Sequence, residues 1–116
     1  MKIEKNITVG GKRKTSVAKA TIRTGSGKIT INKIPYENFD RFKMLMISEP
    51  VEITKRVLGK FDFDISINVS GGGSESRIEA SRLALSRALV KFTKSEELKK
   101  AFVGYDKGLL VADTRR

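Results

Sequence analysis

The sequence predicts one α+β domain, in which a β-sheet carries helices on one of its faces. Residues 18–23 and 61–69 alternate apolar and polar side chains with the period of two that is typical of half-buried strands. Residues 76–93 repeat their apolar side chains with the period of an α-helix. With 116 residues, the chain is long enough for one such domain and little more.

The first third of the chain is expected to be β-structure. Residues 7–9 form a short strand that ends at the glycine pair following it. Residues 18–23 form the second strand, and the Gly-Ser-Gly at 25–27 is typical of a hairpin turn. Residues 28–32 alternate again and form the return strand.

Two short helices are predicted in the middle of the chain. The first covers residues 37–42. The second begins at Ser48 or Glu49 and has Pro50 in its first turn, where proline is tolerated. Gly59 is expected to end it, because glycine adopts the left-handed conformation that closes many helices.

The last third of the chain is expected to be helical. Ser76 and Glu79 have the spacing of a capping box, which predicts that the long helix begins there. A shorter helix is expected to begin at Thr93 or Ser95 and to end at Gly104.

The long helix has two different faces. An apolar face should cover the sheet, and it consists of Ile78, Ser81, Leu85, Ala88, Leu89 and Phe92. Another sector combines small residues with cations: Arg77, Ala80, Ala84, Arg87, Lys91 and Lys94. We expect the alanines of this sector to leave space for a bulky partner, which the flanking cations would neutralise.

The charge balance indicates a polyanionic partner. Lys and Arg together number 24 and Asp and Glu 13, which gives a net charge of +11. Such a domain repels itself unless an anion is near, so nucleic acid is the first expectation and an anionic membrane the second. The chain has no cysteine and no histidine, which excludes disulfides, thiolate zinc sites and the usual general base. No apolar run approaches the ~20 residues of a membrane span, so a soluble, intracellular protein is expected.

Three features are candidates for phosphate binding. The loop at 10–16 places adjacent cations and two hydroxyls after a glycine pair, although a merely solvated basic loop or a localisation signal has the same pattern. The glycines at 71–73 join a strand to a helix, where either a phosphate site or a tight turn fits. The cationic sector of the long helix is the third candidate, because it carries no acid.

Other kinds of site are not favoured. Neither Gly11-Lys12 nor Gly27-Lys28 has the spacing of a phosphate-binding P-loop. We expect Asp62 and Asp64 to form ion pairs with Lys19 or Arg23 across the sheet instead of performing acid–base chemistry. The aromatic residues Phe61, Phe63, Phe92 and Phe102 have core spacings, which favours folded, mostly paired RNA over splayed single strands. The apolar helix face is needed by the sheet, which disfavours membrane binding.

Five segments of the sequence, in order and with matching spacing, resemble one known family: residues 11–18 (GKRKTSVA), 25–32 (GSGKITIN), Glu49-Pro50, 69–73 (VSGGG) with 84–90 (ALSRALV), and 110–116 (LVADTRR). The family they resemble is that of the ninth protein of the small ribosomal subunit, in its archaeal variant.

The resemblance implies a mixed four-stranded sheet with helices on one face and a left-handed crossover, similar to the second domain of ribosomal protein five. It implies a structural, non-enzymatic constituent of the subunit head in the cytoplasm, bound to rRNA beside neighbouring ribosomal proteins and without a cofactor. The resemblance places at the rRNA Lys12, Arg13, Lys14, Thr15, Ser16, Gly71, Gly72, Gly73, Arg87, Arg115 and Arg116. The cationic sector adds Arg77 and Lys91 to the residues expected there.

The chain also departs from the family pattern. Ser76-Arg77 stands where the family has Gly-Gln, and Thr114 replaces a proline. The family continues into a basic tail that reaches the peptidyl-site tRNA, and residues 112–116 would be only its beginning. The family's contact with the peptidyl-site tRNA is therefore not expected of this sequence. Residues 1–116 are expected to form a single domain, with a flexible segment at 1–6.

Two other functions fit the sequence less well. A free-standing RNA-binding chaperone would need the same basic surface. A small-molecule kinase would place a Gly/Ser-rich loop before a helix, as at residues 71–76, but the chain has no second lobe and no convincing base.

Overall fold

The computed structural model describes residues 6–105. Its elements, in chain order, are β1 (Ile7–Arg13), β2 (Ser16–Thr24), β3 (Ile29–Ile31), β4 (Ile34–Pro35), a 3-10 turn (Tyr36–Asn38), α1 (Arg41–Leu58), β5 (Phe63–Ser70), α2 (Ser74–Thr93) and α3 (Glu96–Tyr105).

The five strands form one mixed sheet with the order β1-β2-β5-β3-β4. Strand β3 pairs with β5 in parallel, and the other pairs are antiparallel. The predicted mixed sheet is confirmed, with the two-residue β4 as a fifth strand beyond the expected four. The connection from β3 to β5 passes through α1, and the left-handedness of that crossover stays a prediction.

Helices cover one face of the sheet. Helix α2 packs across β1, β2 and β5, while α1 and α3 pack beside α2 and against each other. The alternation predicted for β2 is confirmed, because Ala18, Ala20 and Ile22 are all fully buried. In the neighbouring strand, Ile65 and Ile67 are buried opposite Ile22 and Ala20, so the two strands form the floor of one core.

Strand β1 does not end at the glycine pair, as was expected, but continues through it to Arg13. Gly11 is buried beneath α2, where an added Cβ atom would lie 2.8 Å from the Ala84 nitrogen and 3.0 Å from the Ala80 oxygen. The glycine therefore sets the distance between the helix and the sheet. It does not terminate the strand.

Helix α1 replaces the two short helices predicted for the middle of the chain. It begins earlier than expected because the Asp40 carboxylate accepts a hydrogen bond from the Lys43 nitrogen at 2.9 Å. Pro50 lies inside the helix, where its missing N–H costs one hydrogen bond, but its side chain is buried in the core. The predicted end at Gly59 is confirmed, with φ of 81°.

The capping box predicted for α2 is wrong. The helix begins at Ser74 after Gly73, two residues before Ser76, and no side chain caps it. The predicted cap of α3 is confirmed, since the Ser95 hydroxyl accepts a hydrogen bond from the Leu98 nitrogen at 3.1 Å. That helix passes through Gly104, its predicted end, to Tyr105.

Asp64 organises the turn between β2 and β3. Its carboxylate accepts hydrogen bonds from the backbone nitrogens of Ser26, Gly27 and Lys28, at 3.0, 3.2 and 3.1 Å. The predicted ion pair with Arg23 is present at 3.6 Å. The hydrogen bond from Lys28, those from Ser26 and Gly27, and the nearby Arg23 charge together hold the pKa of Asp64 below its ordinary value, against a raising effect of burial.

Replacing Asp64 by alanine is expected to lower the free energy of unfolding by about 2 kcal/mol at pH 7, because three backbone donors lose a charged acceptor. The lowered pKa means that this stabilisation is present above pH ~4 and is lost as the pH falls through the folded-state pKa. Urea unfolding at pH 7 and pH 3 measures both effects. Asp62→Ala is the control, since the Asp62 carboxylate is exposed and pairs with Lys60 at 3.7 Å. Equal losses for the two variants would contradict the prediction.

Candidate nucleic-acid interface

The loop predicted to bind phosphate is the tip of the β1–β2 hairpin. Arg13 and Ser16 are paired across the strands, so Lys14 and Thr15 form the turn. We call residues 12–16 the hairpin tip; in it the side chains of Lys12, Lys14 and Thr15 are exposed. Lys14 has φ of 55°, a left-handed conformation that costs a lysine on the order of 1 kcal/mol. The same conformation occurs at Lys33 and at Lys94, the C-terminal cap of α2, so it reflects the turn geometry.

The glycine turn, residues 71–73, lies directly against the hairpin tip. Gly71 and Gly72 both have positive φ, at 79° and 66°. An added Cβ atom would lie 2.4 Å from the Thr15 oxygen at Gly71, and 2.1 Å from the Ser16 hydroxyl oxygen at Gly72. These two glycines are therefore required for the close contact between the turn and the hairpin, as a tight turn predicts.

The carbonyl oxygen of Gly71 joins three segments. The Ser16 hydroxyl donates to it at 2.8 Å, and the Arg77 Nε donates to it at 3.1 Å. Ser16 is fully buried, so its hydroxyl serves this internal bond. Arg77 remains an exposed side chain in the first turn of α2. The hairpin tip, the glycine turn and the start of α2, which are distant in the sequence, are therefore in contact in the fold.

The cationic sector of α2 is placed differently from what was expected. Ala80 and Ala84 are fully buried against Gly11, so the prediction that they leave space for a partner is wrong: β1 occupies that space. Arg87 donates from Nη1 to the Gly10 oxygen at 3.0 Å and thereby satisfies a carbonyl on the edge strand. Lys91 is exposed one turn further along the helix.

Within residues 6–105, the predicted cations lie at the hairpin tip and along α2, which packs on the edge strand β1. Ten residues separate Arg77 from Arg87, which is about 15 Å along α2. Residues 6–33 contain seven cations and no acid, whereas α2 itself carries Glu75 and Glu79 at exposed positions near Arg77. Arg115 and Arg116 lie outside the described residues.

Other kinds of functional site are absent from the described part of the chain. Within residues 6–105, no group of three or more His, Cys, Asp or Glu side chains could hold a metal ion. No helix in that range is long and apolar enough to cross a membrane. The aromatic residues predicted for the core lie there: Phe63 and Phe102 are buried, and Phe63 contacts the rings of Phe61 and Phe92 edge to face at 5.3 and 5.7 Å.

The chain matches a known protein family over nearly its whole length. Residues 11–116 match the family described as ribosomal protein S9/S16. The chain belongs to that family. One relative, the "Small ribosomal subunit protein uS9" of Methanococcus vannielii, is 45% identical to this chain over 107 residues, which cover 91% of this chain and 78% of that protein. The protein of the same name from Methanococcus maripaludis strain C5 is 46% identical over the same shares.

Family membership makes this chain a structural protein of the small ribosomal subunit, a cytoplasmic particle. The family is of a structural, non-enzymatic kind.

The glycine pair 10–11 was predicted to end a strand, but Gly11 instead allows α2 to approach β1 closely. Two features of the sequence are compatible with such a close approach: the glycine pair beside alternating residues, and two alanines four residues apart on the helix.

Proposed function

We propose that the hairpin tip, the glycine turn and the exposed cations of α2 hold phosphates of rRNA in the head of the small subunit. The observation that carries the proposal is the Gly71 carbonyl, which joins the hairpin, the turn and α2 through Ser16 and Arg77. Through it, the exposed side chains of Lys12 and Lys14 and the Arg77 side chain belong to one rigid surface.

The residues of this surface have different roles in the proposal. Lys12, Lys14 and Arg77 supply positive charge to phosphate oxygens, and Thr15 adds a neutral donor. Ser16 is fully buried and positions these groups through its bond to the Gly71 oxygen. Gly71 and Gly72 are exposed and bring the turn against the hairpin tip, and direct backbone contacts to phosphate are proposed for them as well. Further direct contacts are proposed for Arg13, Gly73, Arg87 and Lys91 and, from the family resemblance alone, for Arg115 and Arg116.

The proposed partner is folded, mostly paired rRNA together with the neighbouring proteins of the head. Phosphate contacts made by a rigid surface select the shape of a backbone more than its sequence. The role is therefore binding, without a catalytic step or a cofactor.

A salt titration of binding to a folded fragment of small-subunit rRNA tests the proposal. Each phosphate contact contributes about −0.9 to the slope of log affinity against log salt for a duplex. With six contacts, the expected slope is about −5. An affinity that is independent of salt would overturn the proposal.

A further inference from the structure

The face of the sheet opposite the helices is open across four strands. No helix within residues 6–105 covers it, since α2 packs on the other side and α1 and α3 pack against α2. Its side chains are those that alternate with the core residues. This open face takes no part in the phosphate contacts proposed above, apart from Lys12 at its end.

A row of four hydroxyl groups crosses the middle of the open face. Thr8 is paired with Thr21, Thr21 with Ser66, and Ser66 with Thr30. The register therefore places one hydroxyl on each of four neighbouring strands, and the Thr8 and Thr21 Oγ1 atoms are 3.1 Å apart. At about 4.8 Å between strands, this hydroxyl row is about 14 Å long.

Cations lie on both sides of the hydroxyl row. Lys19 stands beside Asn68 on one side, and Arg23 and Lys28 flank Asp64 on the other. Each of these rows is two residues from the hydroxyl row, which is about 7 Å. Asp64 is ionised and its charge is balanced by Arg23, which pairs with it at 3.6 Å, so Lys28 supplies the net positive charge on that side.

We propose that the open face binds the shallow minor groove of an A-form RNA duplex. That groove displays rows of ribose 2′-hydroxyls between two phosphate backbones. The hydroxyl row would exchange hydrogen bonds with the ribose hydroxyls, while Lys19 on one side and Lys28 on the other would face the two backbones.

The composition of the face favours this occupant over a protein. Among the described residues, the register places no aromatic side chain on it to stack an unpaired base, and its one exposed large apolar residue is Val17. A protein interface of this size would need an apolar centre, whereas this face has hydroxyls in the centre and cations at both sides. The proposal rests on the rRNA-binding function and adds a second surface to it.

The double variant Thr21→Val/Thr30→Val tests the proposal, because it removes two hydroxyls while preserving shape, charge and strand propensity. Its affinity for a 20-bp RNA duplex and for the DNA duplex of the same sequence is compared with that of the unmodified protein. We expect the preference for RNA over DNA to fall about tenfold, through two lost hydrogen bonds. The salt slope should not change, since no charge is altered.

Two further variants complete the experiment. Thr24→Val makes the same chemical change at the end of β2, where alternation puts the residue on the helix side, and should leave the preference intact. Ser66→Ala, at an exposed position, tests the row again should the double variant fail to fold.

An unchanged RNA preference in a folded Thr21→Val/Thr30→Val or Ser66→Ala variant would overturn the proposal. So would normal duplex binding combined with failure to enter the small subunit, which would assign the face to a protein partner. Neither result affects the phosphate surface, whose failure would appear in the salt slope instead.

Discussion

Gly11→Ala is expected to lower the free energy of unfolding by about 3 kcal/mol. The added methyl group would meet the Ala84 nitrogen at 2.8 Å and the Ala80 oxygen at 3.0 Å. Both atoms belong to the backbone of α2, so no side chain can rotate away. The helix must move off the sheet, and the contacts between α2 and β1 loosen. Urea unfolding at neutral pH measures the loss.

The neighbouring glycine provides the matched control. A methyl group on Gly10 would lie 3.7 Å from the Ala18 oxygen, an ordinary contact distance. Gly10→Ala should therefore change the free energy of unfolding by no more than about 0.5 kcal/mol. If both alanine variants unfolded at the same urea concentration, the close approach of α2 to β1 would not be what requires glycine.

Lys12→Glu/Lys14→Glu is expected to weaken binding to a folded small-subunit rRNA fragment at least 100-fold at moderate salt. Two phosphate contacts become repulsions, so the salt slope should also become shallower by about 2. Neither ammonium group is needed by the fold, because both side chains are exposed. Filter binding across a salt series measures the affinity and the slope together.

Lys99→Glu/Lys100→Glu makes the same change of charge on α3, where both lysines are exposed. Each pair lowers the net charge from +11 to +7. We expect the α3 pair to weaken binding only a few fold, through the overall field and not through contacts. Equal losses for the two pairs would mean that net charge alone attracts the RNA and that the hairpin tip has no special place.

The parts of the fold that were predicted correctly are those that local patterns determine. Strand β2 alternates apolar and polar residues because one of its sides must be buried. Its apolar residues Ala18, Ala20 and Ile22 are fully buried. The turn at Gly59 and the cap at Ser95 are likewise decided by nearby backbone geometry. A single sequence contains the information for such features.

The errors arose where distant segments meet. Pro50 is typical of a first helical turn, but burial in the core keeps it in the middle of α1. Ser76 and Glu79 have the spacing of a cap, but α2 begins two residues before Ser76 because the glycine turn is held against the hairpin tip. In each case a tertiary contact outweighs the local preference.

The same limit applies to the candidate site. The concentration of cations near the start of the chain is visible in the sequence, so the hairpin tip could be predicted as basic. The small residues Ala80 and Ala84 could not be assigned, because their partner Gly11 is about 70 positions away in the chain. Ser16 resembles a phosphate donor until its buried bond to Gly71 is known.

The central claim is that the hairpin tip faces rRNA, and the absence of cysteine makes a direct test possible. A single cysteine introduced as Thr15→Cys or as Lys100→Cys can carry a tethered iron chelate that cleaves nearby RNA by hydroxyl radicals. The labelled proteins are assembled into small subunits, and the rRNA cleavage sites are mapped. We predict strong cleavage at a few discrete positions from residue 15 and much weaker cleavage from residue 100. Equal cleavage from both positions, or stronger cleavage from residue 100, would contradict the account.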